Sequence, residues 1–264
     1  MKYITLACML CLSGLNVFAQ FKPGDIGYNV NSEIIFKNAH VSSQIATVVE
    51  SEDMSFVVNY NYYNSNGQLD STVYPPDYNV DQDEQFPQMK DIYTYLPDGK
   101  ISMITMKGYD MFDINYGFEY NKKGKLITSL VASAEAREYT YTYDNKGRIS
   151  ERNGKGARFV YENDEDTDGK LVMIDIERST YTWNPNGDLS EVNFYYMNEW
   201  MQRTVYSYNE DHQVTRMDVY NDNGPDANPS FYISYQYNNQ GLLTESTTVE
   251  SDYTGKTTYA YTYY

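Results

Sequence analysis

Residues 141–150 read Tyr-Thr-Tyr-Asp-Asn-Lys-Gly-Arg-Ile-Ser, and this stretch predicts a tight β-hairpin. Side chains alternate along a strand, so Tyr141 and Tyr143 share one face. The polar turn that follows closes on Gly147, which can adopt the positive φ that short hairpin connections need. An apolar residue, Ile149, stands two positions later, where the second strand begins. The stretch is therefore one complete strand, turn and strand unit.

The same unit recurs along the chain as an aromatic pair, a turn closing on Gly, and an apolar residue two positions after the Gly. Regular copies are Tyr93/Tyr95 with Gly99 and Ile101, Phe118/Tyr120 with Gly124 and Leu126, Tyr181/Trp183 with Gly187 and Leu189, and Tyr235/Tyr237 with Gly241 and Leu243. Less regular copies are Tyr63 with Gly67 and Leu69, Tyr161 with Gly169 and Leu171, and Tyr206/Tyr208 with His212 and Val214. His212 takes the Gly slot, and His is enriched among non-Gly residues of positive φ.

These residues resemble the YD-repeat, or Rhs-repeat, family, whose pattern is Tyr-Asp-x-x-Gly-Arg-Leu. Residues 143–149 follow that pattern almost completely, and residues 200–208 resemble its Trp-x-x-Arg-x-x-Tyr-x-Tyr variant. The resemblance covers the chain from Tyr60 onward. It implies antiparallel hairpins stacked side by side. In large members, long arrays enclose a toxin, a function that we do not transfer because the chain has about eight units and lacks the core signature of those proteins.

We expect an all-β fold in which tandem antiparallel β-hairpin repeats form a curved or coiled single sheet. Curling would bury one face of the sheet, which a flat layer of hairpins leaves exposed. The aromatic pairs would meet inside together with five apolar residues, Ile101, Leu126, Ile149, Leu189 and Leu243. The predicted organisation is a signal peptide at residues 1–19, N-terminal strands or a cap at 20–59, and the repeat array at 60–264.

The N-terminus carries the features of an export signal. Lys2 precedes a mostly apolar run at 4–17, which is shorter than the roughly 20 residues of a membrane-spanning helix. Val17 and Ala19 suit the positions before a cleavage site, so we expect cleavage after Ala19. The alternative is a lipoprotein signal with a lipidated Cys8. We expect the protein to be secreted to the periplasm, the cell surface or the cell exterior, and not to span a membrane.

Composition narrows the function classes. Cys8 and Cys11 both lie in the predicted signal, so the exported chain would lack thiols for disulfides, nucleophilic catalysis or zinc. The net charge is -17, with 37 acidic against 20 basic residues, which disfavours nucleic acid because phosphate backbones bind clustered Lys and Arg. The 30 Tyr residues favour strands, and each offers an apolar ring with a polar tip.

An acidic turn is the candidate metal site. Asp164, Asp166 and Asp168 precede Gly169 with the spacing that opens a calcium loop. Asp175 falls at position 12 of such a loop, but a strand through 170–173 would carry it away from the turn, so a helical EF-hand is not expected. A Ca²⁺ ion held by the three Asp residues is one interpretation, and a solvated acidic turn is the other.

A cluster of aromatic residues is the candidate ligand site. Trp183, Tyr195, Tyr196 and Trp200 could stack on sugars or anchor a protein partner. The alternative is cross-strand packing, since alternation places Phe194 and Tyr196 on the face opposite Tyr195.

Catalysis finds little support in the sequence. The chain has only two His residues, His40 and His212, and it shows no nucleophile elbow, metalloprotease helix or phosphate loop. We therefore expect a non-catalytic binding or surface-interaction module that uses its Tyr-rich repeat sheet to hold a glycan or a protein partner. The first alternative is a structural shell or spacer of the cell envelope, and a more distant one is a glycosidase using two carboxylates.

The export signal gives the first testable prediction. Protein exported by a Gram-negative host is expected to begin at Gln20, because cleavage follows Ala19. N-terminal sequencing or intact mass measurement checks this. A mature chain carrying a lipidated Cys8 would contradict it.

Overall fold

The computed structural model describes residues 38–51, 54–75, 88–108, 113–132, 137–160, 170–221, 228–251 and 253–264. These segments contain sixteen strands. They are β1 (Val41–Ser51), β2 (Met54–Tyr63), β3 (Leu69–Val73), β4 (Lys90–Tyr95), β5 (Ile101–Lys107), β6 (Ile114–Tyr120), β7 (Leu126–Ala132), β8 (Arg137–Tyr143), β9 (Ile149–Val160), β10 (Lys170–Trp183), β11 (Leu189–Tyr196), β12 (Glu199–Tyr208), β13 (Val214–Asn221), β14 (Phe231–Tyr237), β15 (Leu243–Glu250) and β16 (Tyr253–Tyr263). Within these segments, no helix is long and apolar enough to cross a membrane.

The strands form one antiparallel sheet that closes into a barrel. Each strand pairs with its neighbours in sequence, and β1 pairs with β16 from Val41↔Tyr263 to Val49↔Lys256. The predicted all-β antiparallel fold is confirmed, but the expected curved or coiled open sheet is corrected to a closed sixteen-strand barrel. Among the sixteen described strands, closure leaves no edge strand.

The N-terminal strands are part of the barrel wall. Residues 20–59 were expected to form N-terminal strands or a cap, with a boundary before Tyr60. That boundary falls inside β2, and β1 completes the sheet by pairing on both sides, with β2 and with β16. The first described strands therefore close the array.

Seven short turns of one design lie at the same end of the barrel, which we call the repeat-turn end. In the turn after β8, Gly147 N–H donates to the Asp144 carbonyl at 3.0 Å, and Gly147 has a φ of 83°. The Asp144 side chain accepts hydrogen bonds from the backbone N–H groups of Lys146 and Arg148 at 2.9 and 2.8 Å. This Asx turn explains why Asp or Asn follows the aromatic pair in most repeats. His212 occupies its Gly slot with a φ of 62°, as predicted.

The opposite end carries connections of varied length, and we call it the variable-loop end. Residues 161–169 join β9 to β10 at this end. Tyr161 and Gly169 of the predicted repeat unit with Leu171 lie outside the described residues, so that unit stays a prediction.

In the described segments, seven residues in the second aromatic slot of a repeat reach back to the preceding repeat. The polar tip of each donates a hydrogen bond to the carbonyl of the residue that opens the odd-numbered strand of that preceding repeat. We call this contact the aromatic latch. The pairs are Tyr95 to Leu69, Tyr120 to Ile101, Tyr143 to Leu126, Trp183 to Ile149, Tyr208 to Leu189, Tyr237 to Val214 and Tyr261 to Leu243, at 2.6–2.9 Å.

The latch face is the inside of the barrel. Tyr143 pairs directly with Ile149, so the two side chains share a face, and Ile149 and Leu126 are fully buried. Leu69, Ile101 and Leu189 are buried in the corresponding positions of other repeats, while in the last repeat Leu242 is fully buried and Leu243 half-buried. The repeat-turn end is thus packed with apolar side chains beneath a layer of aromatic rings.

The aromatic latch gives a stability prediction. Tyr143→Phe keeps the ring, over which Lys125 Nζ lies at 4.5 Å, but removes the hydrogen bond to the Leu126 carbonyl. We expect the free energy of unfolding to fall by about 0.5–1.5 kcal/mol, the net contribution of one such bond. Urea titration measures it.

The matched control is Tyr62→Phe, because Tyr62 is exposed on the other face of β2. This change is expected to stay within about 0.5 kcal/mol of the parent protein, as surface substitutions do. Equal losses in the two variants would contradict the stabilising role of the latch.

Candidate functional site

The outer face of the barrel wall is mostly polar, with some exposed apolar residues such as Met103 and Leu130. The residue between the two aromatics of a repeat points outward and is exposed, as Thr94, Glu119 and Thr142 show. Charged side chains occupy outward positions in the middle of the wall, including Glu138 and Arg203. A cluster of aromatic side chains on this outer wall is therefore the feature that marks a candidate functional surface.

Arg178 on β10 is the centre of one such group. Its guanidinium lies 4.2 Å from the ring centroid of Tyr195 on β11, and its Nη1 lies 3.9 Å from a carboxylate oxygen of Glu151 on β9. Asn153 donates a hydrogen bond to the same carboxylate at 2.7 Å. Three adjacent strands thus place an acid, an Arg and a Tyr side by side.

The group recurs two strands further on. Arg203 on β12 donates to Glu191 on β11 at 2.9 Å and lies 5.1 Å from the ring centroid of Tyr220 on β13. Asn193 donates to the Glu191 carboxylate at 2.6 Å, as Asn153 does to its own Glu partner. The register supports the equivalence, since Arg178 pairs with Asn153 and Tyr195 while Arg203 pairs with Asn193 and Tyr220.

A third Arg extends the series with a different arrangement. Arg216 on β13 lies 3.8 Å from the ring centroid of Tyr232 on β14 and donates to Asp218 on its own strand at 2.6 Å. The hydrogen bond to Asp218 raises the pKa of Arg216. Each of the three guanidiniums thus contacts one carboxylate and one ring.

Trp200 joins the group at its start. It pairs with Tyr195 across β11 and β12, and its indole Nε1 donates to the Asn193 side-chain oxygen at 3.3 Å. We define the outer strip as the four rings and three guanidiniums on this wall, namely Arg178, Tyr195, Trp200, Arg203, Arg216, Tyr220 and Tyr232.

The outer strip runs diagonally across the wall. Tyr220 is level with Asn193, two residues along β11 from Tyr195, and Tyr232 pairs with Asp218, which is level with Glu191. With strands about 4.8 Å apart and about 3.3 Å per residue, Tyr195 and Tyr232 are separated by about 20 Å.

The structure divides the predicted aromatic site between two faces. Tyr195 and Trp200 lie together on the outer strip. Trp183 lies inside the barrel, where its indole N–H forms an aromatic latch with the Ile149 carbonyl, so it is a core residue and not an exposed ligand contact. Tyr196 is 44% exposed but lies on the inward face near the variable-loop end.

Sequence reasoning missed the Arg residues and the rings beyond Trp200. A signal was present, because Glu-x-Asn occurs at 151–153 and again at 191–193, each followed by an Arg on the next strand. The pairing between strands was needed to show that these residues meet.

The predicted calcium ligands Asp164, Asp166 and Asp168 lie outside the described residues. Within the described segments, no group of three or more His, Cys, Asp or Glu side chains could hold a metal ion.

A second polar group lies inside the barrel. Glu177 accepts hydrogen bonds from Arg137 at 2.6 Å and from the Tyr139 hydroxyl at 3.2 Å. Arg152 lies 4.9 Å from the Tyr139 ring centroid and donates to Ser179 at 3.3 Å. This group rigidly connects β8, β9 and β10 behind the outer strip.

Burial inside the barrel shifts the acidity of several Tyr hydroxyls. It raises the pKa of Tyr141 to about 12, an effect that nearby Arg152 partly offsets. Burial also raises the pKa of Tyr206 and Tyr235 well above the usual value. These hydroxyls are held neutral in the folded protein.

Comparisons with known proteins show the fold alone. No protein-family model and no curated protein matches the chain. A solved porin-like protein from Bacteroides uniformis is 14% identical, with 84% of this chain and 98% of that chain covered and a TM-score of 0.50. A porin-like protein from Bacteroides vulgatus is 11% identical over 84% and 98% of the two chains, with a TM-score of 0.46. A TcdB2-TccC3-Cdc42 structure is 12% identical over 81% of this chain and 14% of that chain, with a TM-score of 0.32.

The buried hydroxyls predict alkaline unfolding. The pKa of Tyr141 is raised from 10.0 to about 12, so the folded state keeps a proton that the unfolded chain loses. Its contribution to stability is complete below pH 10 and is lost as the pH rises toward about 12. We expect tyrosinate absorbance and loss of the β circular dichroism signal to rise together in this window. Full ionisation near pH 10 with an unchanged β signal would contradict the buried environment.

Proposed function

We propose that the protein is an exported, non-catalytic binding module whose outer strip holds a glycan or a protein partner. The observation that carries the proposal is the repeated group of acid, Arg and Tyr on the outer wall. The proposal includes secretion to the periplasm, the cell surface or the cell exterior, on the basis of the N-terminal signal.

The polarity of the wall supports a barrel that stands in water. Transmembrane barrels present an outward apolar band, and charged residues facing lipid are costly near the bilayer midplane. Glu151, Arg178, Glu191 and Arg203 occupy the outward face of four consecutive strands. For this reason we do not extend the porin-like description of the B. uniformis protein to this chain.

The rigidity of the outer strip supports a binding role. Its rings stand on paired strands, and the guanidiniums of Arg178, Arg203 and Arg216 lie against three of them. Side chains fixed before binding lose less conformational entropy when a partner arrives. Trp, Tyr and Arg are also the residues that most often dominate binding energy.

The carboxylates of the outer strip support a non-catalytic role. Glycoside hydrolysis needs one carboxyl group as an acid and a second as a nucleophile or base. Glu151, Glu191 and Asp218 are each paired with a guanidinium, so they act as supports for the Arg residues.

The repeat geometry supports membership of the YD-repeat family as part of the proposal. The Tyr of the motif forms the aromatic latch, the Asp forms the Asx turn, and the Gly adopts the positive φ, as Tyr143, Asp144 and Gly147 show. The resemblance concerns the way in which the hairpins stack, and it does not indicate which ligand the protein binds.

A structural shell is the second candidate. The packed inner layer, in which Leu126, Ile149 and Leu242 are fully buried, supports it because such a barrel would make a stable spacer. The two candidates differ in what they require of the outer wall, since a spacer does not need the outer strip.

Binding to a glycan array, together with pull-down from envelope extracts, tests the proposal. The double variant Tyr195→Ala with Trp200→Ala is expected to weaken partner binding at least tenfold, because it removes two adjacent rings.

Tyr62→Ala is the matched control, since Tyr62 is an exposed Tyr on the outer face of a distant strand. It is expected to bind like the parent protein. Binding that survives in the double variant, or is lost equally in both, would rule out the outer strip as the binding surface.

A further inference from the structure

We infer that the ligand of the outer strip is an uncharged, linear glycan that crosses β10 to β14 along the diagonal of rings. The inference rests on the proposed binding function and adds the chemical class and path of the ligand. It depends on the charge balance, the hydrogen-bonding groups and the spacing of the strip.

The charge balance favours an uncharged ligand. Arg178, Arg203 and Arg216 of the strip are paired with Glu151, Glu191 and Asp218 beside it, so these three ion pairs together carry no net charge. The chain as a whole has a net charge of -17, which repels polyanions at long range. A polycation would have to compete with an Arg for each carboxylate. An uncharged polysaccharide is neither repelled by the net charge of the protein nor in competition with the Arg residues.

The hydrogen-bonding groups suit hydroxyl-bearing ligands. A sugar hydroxyl both donates and accepts, so it is best held where the two kinds of group alternate. Along the strip, Asn193 and Arg203 are donors and Glu191 is an acceptor, all within one connected network. Arg178, Glu151 and Asn153 repeat the same alternation one repeat earlier.

The rings supply the apolar contacts that a sugar needs. Trp and Tyr offer flat, apolar surfaces with polar edges, which match the C–H faces of a pyranose ring. Tyr195 and Trp200 are half-buried, so their exposed parts are held in place by the wall. The polar network next to them then fixes the orientation of the sugar ring.

The spacing of the rings favours a linear chain over a single sugar. Tyr195 and Tyr220 stand two strands apart and two residues apart along the strands, so about 12 Å of wall separates them, more than a single sugar ring spans. Tyr232 continues the line on the next strand. Several weak contacts on one chain act at high effective concentration, so their sum is much stronger than any one of them.

A protein partner fits the strip less well. Stable protein interfaces have a desolvated apolar centre from which charged residues are depleted. In the outer strip, the Arg203 guanidinium contacts both the Tyr220 ring and the Glu191 carboxylate, so an ion pair lies directly against the apolar surface. Binding a protein there would bury ion pairs at the centre of the contact.

Native affinity electrophoresis of the exported protein tests the inference. The gels contain neutral polysaccharides (glucomannan, xyloglucan or soluble starch) or charged ones (alginate or chondroitin sulfate). We expect at least one neutral polysaccharide to retard the protein and the charged ones to have no effect. The retardation is expected to be nearly constant between about 0.01 M and about 1 M salt, over which the Debye length falls from about 30 to about 3 Å.

Variants connect the retardation to the diagonal. Tyr220→Ala is expected to weaken binding of the neutral polysaccharide at least tenfold, with Tyr232→Ala as an independent second variant on another strand. Tyr62→Ala is expected to bind like the parent protein, and thermal melting verifies that each variant is folded. Oligosaccharides that reach about 20 Å, the span from Tyr195 to Tyr232, are expected to bind at least tenfold more tightly than a disaccharide.

The outcomes separate failure of the inference from failure of the proposed function. Retardation by the charged polysaccharides alone, or capture of a protein partner that the Tyr220→Ala change abolishes, overturns the inference and leaves the binding function standing. Absence of retardation by every neutral polysaccharide also overturns the inference. Partner binding that is equal in the parent protein, Tyr220→Ala and Tyr232→Ala overturns the proposed function itself.

Discussion

The hydrogen bond from each aromatic tip to the preceding repeat is the contact on which the barrel depends. A single hairpin cannot bury its own rings, but the aromatic latch places each ring over the odd-numbered strand of its neighbour and bonds it to a carbonyl there. At the seam, Gln44 on β1 takes over this role. Its amide donates to the Tyr261 hydroxyl at 2.8 Å, and its side-chain oxygen accepts from Asn61 at 2.8 Å and Tyr63 at 3.4 Å. The side-chain hydrogen bonds between neighbouring repeats therefore continue across the seam where β1 pairs with β16.

The turns reinforce the same neighbour contacts at the repeat-turn end. The residue after the Gly slot reaches the following turn, as in the bonds from Lys125 to the Gly147 carbonyl and from Gln213 to the Gly241 carbonyl, at 3.2 and 2.9 Å. The repeat with His in the Gly slot keeps the contact by other means, because Asp188 lies 2.9 Å from the His212 ring nitrogen. An Arg, Lys or Gln at this position therefore has a structural role, as in Arg148, whose Nη1 donates to the Asn184 carbonyl of the next turn at 3.3 Å.

The local unit could be predicted from sequence because its signals are local. The aromatic pair, the Asn or Asp and the Gly of residues 141–149 determine a hairpin, and even the positive φ of His212 followed from its slot. Closure could not be predicted, since the pairing of Val41 with Tyr263 joins the two ends of the array without a local signal. Trp183 was misjudged for the opposite reason. It was treated as an exposed ring, although it stands in the second aromatic slot, where the repeat itself implies a buried latch.

The outer strip is confined to part of the barrel, whereas the aromatic latch recurs along the array. This difference indicates that the two features have different roles. Arg178 and Arg203 stand five positions before the second aromatic of their repeats. The equivalent residues in the other repeats are Val58, Lys90, Asn115, Glu138, Tyr232 and Lys256. A contact that serves the repeat fold would recur along the array, as the aromatic latch does seven times in the described segments. Because the inner face meets the needs of folding, the outward residues are free to differ between repeats. Within the described segments, outward-facing Arg residues stacked on Tyr rings are confined to β10 through β14. This restriction is consistent with the proposed recognition of a partner and is not required by the repeat fold.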